Sequence, residues 1–254
     1  GLDLSGLATL ADPVPVQKAN RSFAVDGVAA LKKSRRPGIK ALLLAAGSDQ
    51  QKLSSMTVNF TLAPRINAMG RLEHGMDALR LLCTTSDERA QQLAKVLSET
   101  NTRRQDVTSE QLDDARSQVL SQEQEHLLIA FSPDYHEGVI GLIAGRLTEE
   151  FSKPSIVMSV GETAIKASAR SMQGVNIVEL IREVRHDLLE VGGHPMAAGF
   201  GLALDRREKV IEQLHTLAKE SILEEDLVPT LSIDCALTSE FLNQKTVEAV
   251  NTLA

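Results

Sequence analysis

Trp is absent and Tyr occurs once among 254 residues, and aromatic residues make up only 3%. So few rings exclude a surface that holds nucleic acid chiefly by stacking bases on aromatic side chains. The two cysteines, Cys83 and Cys235, stand far apart without metal-ligand spacing. That excludes a disulfide framework and a cysteine-based zinc site, and both thiols are expected to be buried and reduced, as in a cytoplasmic protein. No apolar run approaches membrane-spanning length, and no charged-then-apolar signal segment opens the chain. Positive charge is not in excess either, since the formal net charge is −7. Net charge alone does not decide polyanion binding, because phosphate contacts come from local clusters. The chain starts Gly-Leu-Asp and ends NTLA inside a helical pattern, so both ends are expected to continue into a longer protein.

Hydrophobic residues at 43% and charged residues at 24% are ordinary for a globular chain. An apolar run of small residues, expected as a buried strand or short helix, closes at Asp12-Pro13. Helical patterns follow at residues 22–33, 39–46, 55–62 and 77–83. From Ser86 to Gln122 there is neither Gly nor Pro. Ser86 suits an N-cap, and Asp87 and Glu88 suit the positive end of a helix dipole. A helix this long and this charged reads as a connector between domains. Beyond it, strands are expected at 127–131, 155–160, 163–171 and 199–204. Helices are expected at 138–151, 177–189 and 206–222. This alternation implies an α/β sheet with helices packed on it. LSIDCAL (231–237) and a helical pattern from Ser239 suggest the start of a further unit.

Several constellations could carry chemistry. GGHPMAAG (192–199) pairs Gly192 and Gly193, which let backbone approach a ligand, with Pro195 suited to the first position of a helix. His194 would then lie at a helix N-terminus, a natural anion site. KASARS (166–171) places Ser168 and Arg170 on one face of a strand, a hydroxyl beside a guanidinium that could fork a phosphate, with Ser171 next to them. PRINAMGRL (64–72) carries Arg65 and Arg71, suited to phosphate positioning, or else to a solvated surface with a helix C-cap at Gly70. His136 and Glu137 enter an apolar helix without the second His of a zinc helix. They read as capping residues, with His136 a possible substrate contact. KKSRRPGIK (32–40) reads as a solvated turn. Asp12 taken alone reads as a turn residue, because a hard divalent cation needs several converging oxygens.

Together, and in this order, LATLADPVP (7–15), PRINAMGRL, TNTRRQ (100–105), HEGVIGLIAGRL (136–147), KASARS, GGHPMAAG and LSIDCAL resemble the bacterial RecJ exonucleases of the Asp-His-His (DHH) phosphoesterase superfamily. The resemblance covers nearly the whole chain. It implies an α/β fold in four parts. Residues 1–85 would be the helical remainder of a DHH catalytic domain and residues 86–122 a connector helix. Residues 123–223 would be a DHH-associated substrate-binding domain, and residues 229–254 the truncated start of an OB-type domain. It further implies 5′→3′ degradation of single-stranded DNA with Mn or Mg. Asp12 would match the last metal-binding Asp of the catalytic domain. Ser168, Arg170, Ser171, Gly192, Gly193 and His194 would grip DNA phosphate near the 5′ end, and Arg65 and Arg71 would lie on the strand path.

The family's Asp-x-Asp and Asp-His-His motifs do not occur in this sequence. Two-metal cleavage needs several carboxylates and histidines around both ions, so the isolated chain is expected to bind the strand and not cut it. Alternatives stand beside a nuclease fragment: a small phosphoesterase acting on short oligonucleotides or nucleotide phosphates, which LSIDCAL and the long connector disfavour; a nucleic-acid-binding module; and an inactive DHH relative acting as a scaffold. Self-association through the truncated first domain is a further expectation.

Overall fold

The computed structural model describes residues 1–12, 14–122 and 126–251. Pro13 of the Asp-Pro pair and residues 123–125, where the associated domain was expected to begin, lie outside the described residues. The chain divides into two compact units. One comprises Gly1–Pro64, Leu81–Ala94 and Pro229–Ala254; the other comprises Arg65–Arg80 and Lys95–Val228.

The first unit is helical. Helices α1 (Leu2–Ala11), α2 (Ala19–Lys32) and α3 (Pro37–Ala45) lead to α4 (Ser55–Thr57) and a π turn at Val58–Leu62. The helix α5 (Ala63–Leu72) belongs to the second unit from Arg65 on, and α6 (Met76–Cys83) belongs to it as far as Arg80. Leu31, Ile39, Leu42, Leu53 and Leu62 are fully buried and form the apolar interior of the first unit. Pro37 opens α3 at its first turn, where a missing N–H costs nothing. A buried polar tie accompanies this core: Asp3 accepts from Ser34 Oγ at 3.0 Å and from Arg36 Nε at 2.8 Å. Burial pushes the Asp3 carboxyl up, but the hydrogen bonds from Ser34 and Arg36 outweigh it and the net shift is downward.

The second unit is built on a five-stranded mixed sheet of order β1-β2-β3-β5-β4. Its strands are β1 (Leu128–Ser132), β2 (Ser155–Val160), β3 (Ile165–Arg170), β4 (Leu188–His194) and β5 (Ala197–Leu202). The β1–β2 pair is parallel and joined through α8 (Ile140–Phe151); the other pairs are antiparallel. Alternation of side chains across each strand sends them into two layers. On one face Leu128, Ala130 and Val157 pack with Ile140, Ile143 and Leu147 of α8 and with Ala115 and Val119 of α7 (Asp87–Ser121). On the other, Ile129, Ile156, Met158, Ile165, Ala167 and Ala169 pack under α9 (Ile177–Arg182) and α10 (Arg207–Ser221).

The helix α7 is 35 residues long, and Ser86 Oγ accepts from the Arg89 N–H at its start. Two of its amide side chains hold the sheet unit. Gln118 accepts from the Phe131 N–H and donates to the Phe131 carbonyl, both at 3.1 Å. Edge strand β1 thus pairs its backbone with a side chain where a neighbouring strand is lacking. Gln111 does the same for the turn before α8, donating to Asp134 O and accepting from the His136 N–H. Tyr135 Oη donates to Asp114 at 2.6 Å, and burial together with that bond holds the phenol above its ordinary range.

The structure corrects several expectations. The fold, expected as α/β in class, is mostly helical with one α/β unit, and the sheet is open, with β1 and β4 at its edges. No strand forms at LSIDCAL among the described residues, so there is no start of an OB-type barrel. Leu231 and Ile233 are 85% and 73% exposed. An alternating run becomes a strand only where a partner completes its ladder, and none pairs with it here. The segment continues instead into α11 (Gln244–Asn251). The helix expected at 177–189 stops at Arg182, and residues from Leu188 on form a strand pairing with β5. Gly70 lies within α5 and does not cap it. Both cysteines are exposed, against the expectation of buried thiols. No helix of the described residues is long and apolar enough to cross a membrane.

Candidate nucleic-acid interface

Ile165, Ala167 and Ala169 of β3 point into the α9–α10 core, so Lys166, Ser168 and Arg170 share the opposite face, the one that carries α8. Arg170 folds back on its own strand, with Nη1 donating to Ser168 Oγ at 3.1 Å and to Ala169 O at 2.8 Å. The guanidinium lies against α8 at Gly141. A methyl group there would stand 2.8 Å from Arg170 Nη2 and 3.0 Å from Ser168 Oγ, inside contact distance for both. The missing side chain is what admits the arginine.

Arg71, on α5, reaches the same place from another direction. Its Nη1 donates to Gly138 O at 3.1 Å, and a methyl at Gly138 would collide with the Arg71 backbone carbonyl. Arg71, Ser168, Arg170, Gly138, Gly141 and Gly192 are among the residues lining one groove of about 580 Å³. Glu137 and Glu190 also line it, but Glu137 is paired with Lys166 at 2.7 Å. Burial pulls the pKa of both Arg71 and Arg170 down, and the Arg71 charge adds to the effect at Arg170. Arg104 on α7 is lowered the same way, by burial and then by Arg71. Among the described residues none of these three guanidinium groups has a carboxylate within ion-pair distance. Half-buried cations that repel one another and have no carboxylate in direct contact among the described residues form a site that an anion would stabilise.

The segment GGHPMAAG is a β-hairpin, not a loop leading to a helix, with Pro195 and Met196 as its turn. No helix N-terminus lies at His194, so no helix dipole favours an anion there. Gly192 pairs with Gly199 and lines the groove. Gly193 has φ 148°, and a side chain there would overlap Ala198, so it is required by the hairpin itself. His194 is exposed near the turn and does not line the groove.

The remaining candidates are dispersed. Ser171 is buried, and its Oγ donates to Val175 O at 2.7 Å. Arg65 is half-buried on α5 and is not a lining residue of the groove. Six residues from Arg71 on a helix of 3.6 residues per turn, it faces another way. The His136 ring accepts from the Gly138 N–H through Nδ1 at 3.0 Å, capping the turn before α8. Asp12 is the exposed C-cap of α1 in the first unit. The described residues contain no group of three or more His, Cys, Asp or Glu that could hold a metal ion. The donor set therefore does not fit a two-metal centre.

Three contributors were not among the candidate site residues: Gly138, Gly141 and Arg104. The two glycines stand in HEGVIGLIAGRL, where His136 and Glu137 are the more conspicuous residues. A glycine inside an otherwise apolar helix is itself a signal of close approach. Arg104 stands in TNTRRQ, one of the segments of the resemblance, but nothing local singles it out from the many charges of a solvated helix.

Residues 124–220 match the DHHA1 domain family. The chain is 34% identical over 257 residues to the single-stranded-DNA-specific exonuclease RecJ of Bacillus subtilis (strain 168), covering 100% of this chain and 33% of the relative. With the protein of the same name from Escherichia coli (strain K12) it shares 34% over 216 residues, covering 81% of this chain and 37% of the relative. It thus spans about a third of the length of these curated relatives. Among solved structures, RecJ from Thermus thermophilus in complex with Mg2+ superimposes with a TM-score of 0.77 at 31% identity, covering 86% of this chain and 34% of that one. Exonuclease RecJ bound to manganese gives 0.72 at 30%, covering 89% and 58%. This chain is homologous, over part of their length, to the RecJ single-stranded-DNA-specific exonucleases of the DHH superfamily.

Proposed function

We propose that this chain is the strand-holding part of a metal-dependent, single-strand-specific 5′→3′ DNA exonuclease, and that the Arg71–Ser168–Arg170 groove grips the phosphate at the 5′ end. One observation carries this reading: two half-buried guanidinium groups and a hydroxyl line one groove, and neither arginine has a carboxylate partner among the described residues. Arginine suits the task because its planar fork meets two phosphate oxygens at once and stays charged even when desolvated. Gly192 leaves the groove wall low, and Ser168 supplies a neutral donor. His194, Gly193 and Ser171 shape the surroundings, Arg65 belongs to the helix that presents Arg71, and His136 holds the turn that carries Gly138.

Mn or Mg would supply cleavage in the parent enzyme, where Asp12 would be one of several ligands. With no complete ligand set here, the chain alone is expected to leave 5′-phosphorylated single-stranded DNA uncut in the presence of Mn2+. The grip is tested by fluorescence anisotropy with matched strands. A 5′-phosphorylated strand should bind more tightly than its 5′-hydroxyl twin, and Arg170→Ala should remove the difference. The lost contact is worth about 1.5–3 kcal/mol, roughly a ten- to hundredfold change. Equal affinity of the unmutated chain for both strands would refute the assignment.

A further inference from the structure

We propose that the groove between α7 and α8 is a second phosphate subsite, which holds the next phosphodiester of the strand on Arg104. The inference rests on the reading of the first groove as the grip on the terminal phosphate, and extends it along the strand. Arg170 and Gly141 line both grooves, so the second continues from the first. At about 670 Å³ it has room for a nucleotide and not merely an ion.

Its charges differ in their bonding. Arg146 is exposed and already pairs with Glu149 at 3.2 Å. Arg104 is half-buried and donates to Asn101 Oδ1, a neutral acceptor, at 2.6 Å. Desolvation and the neighbouring Arg71 charge both work against its guanidinium. An arginine so placed costs free energy unless an anion compensates it; Glu149 also lines the groove but is paired with Arg146, and among the described residues no carboxylate lies within ion-pair distance of Arg104. Leu112 and Leu142 give the groove an apolar wall, suited to the sugar and base faces that accompany a phosphodiester. Contacts of this kind position a strand and carry no base preference.

The experiment uses the full chain with a short oligothymidylate, 5′-phosphorylated or 5′-hydroxyl, and follows binding across a salt series. Arg104→Gln should weaken both strands by about tenfold and leave the 5′-phosphate preference intact. The slope of log K against log salt should become shallower by about 0.7, the value for one phosphate contact on a single strand. Arg104→Lys, which keeps the charge, should retain most of that slope, and remains informative if the Gln variant melts early. Arg146→Gln should change the slope less than Arg104→Gln. An unchanged slope in Arg104→Gln overturns the proposal. So does a variant that loses only the 5′-phosphate preference, since that would place Arg104 on the terminal phosphate. Failure of the grip reading shows separately, as an unmutated chain indifferent to the 5′ end. Absence of binding to either strand overturns both.

Discussion

The second unit contains two concentrations of charge that resolve burial in opposite ways. At Asp187 the side chain is 4% exposed, and it accepts from Lys209 Nζ through both oxygens at 2.9 and 2.8 Å and from Arg206 at 3.1 Å. His186 Nε2 stands 3.2 Å away. Every charge there meets its opposite, and the effect is to fasten the turn before β4 to α10. At Arg71, Arg104 and Arg170 the charges share one sign, their hydrogen bonds go to carbonyls, a hydroxyl and an amide, and among the described residues no carboxylate lies within ion-pair distance of them. A cluster that satisfies itself is a fastening. One that remains unsatisfied in the folded chain is suited to a ligand of the missing sign.

That contrast can be broken or sharpened by substitution. Beyond the loss of 5′ discrimination in Arg170→Ala, the next largest effect is expected at Gly138. A methyl there meets backbone and cannot be relieved by a side-chain rotation. Gly138→Ala should therefore destabilise the chain by about 1–3 kcal/mol, with weaker strand binding, as measured by urea unfolding and anisotropy. Unchanged stability would mean that α5 does not need that approach.

At the fastening, the direction of the pH dependence is fixed by the partners. The hydrogen bond and charge of Lys209, with Arg206 and His186, hold the Asp187 carboxyl below its unfolded value, against the opposing effect of burial. A group depressed in the folded state stabilises it at neutral pH and loses that contribution as pH falls below about 4. Asp187→Asn should lower the melting temperature at pH 7 and flatten its decline in acid, while strand binding persists. Asp3 titrates in the same sense, so some acid sensitivity should remain. A variant as acid-sensitive as the parent would remove Asp187 from this account.

The smallest effect on stability is expected at Gly141, where two consequences of opposite sign are separable. Alanine favours the helix by up to about 1 kcal/mol, and the atoms it meets are the movable ends of Arg170 and Ser168. Gly141→Ala should therefore melt no lower than the parent yet discriminate less between 5′ ends. Full discrimination would show that Arg170 keeps its place without the clearance.

Much of the sheet unit was legible in advance. The β2 strand falls on its expected residues 155–160, and the alternation in KASARS places Ser168 and Arg170 together. Both follow from backbone periodicity. The hairpin was misjudged because Leu188, Leu189 and Val191 extend an apolar pattern that a helix could also use, and only pairing with β5 decides between them. LSIDCAL failed for the complementary reason, a strand-like pattern with no partner strand.

Local chemistry thus suffices to say that Ser168 and Arg170 stand side by side, because a strand presents every second residue on one face. It also suffices for the N-cap at Ser86 and for the apolar identity of both sheet layers. It marks Arg71 as a candidate but does not reach its meeting with them, since that guanidinium bonds to a residue 67 positions away, and it does not single out Arg104. Nor does it show that two glycines of α8 and its approach make room for the meeting. Those facts depend on which backbones touch, and close approach across the fold is a property of packing that no window of sequence contains.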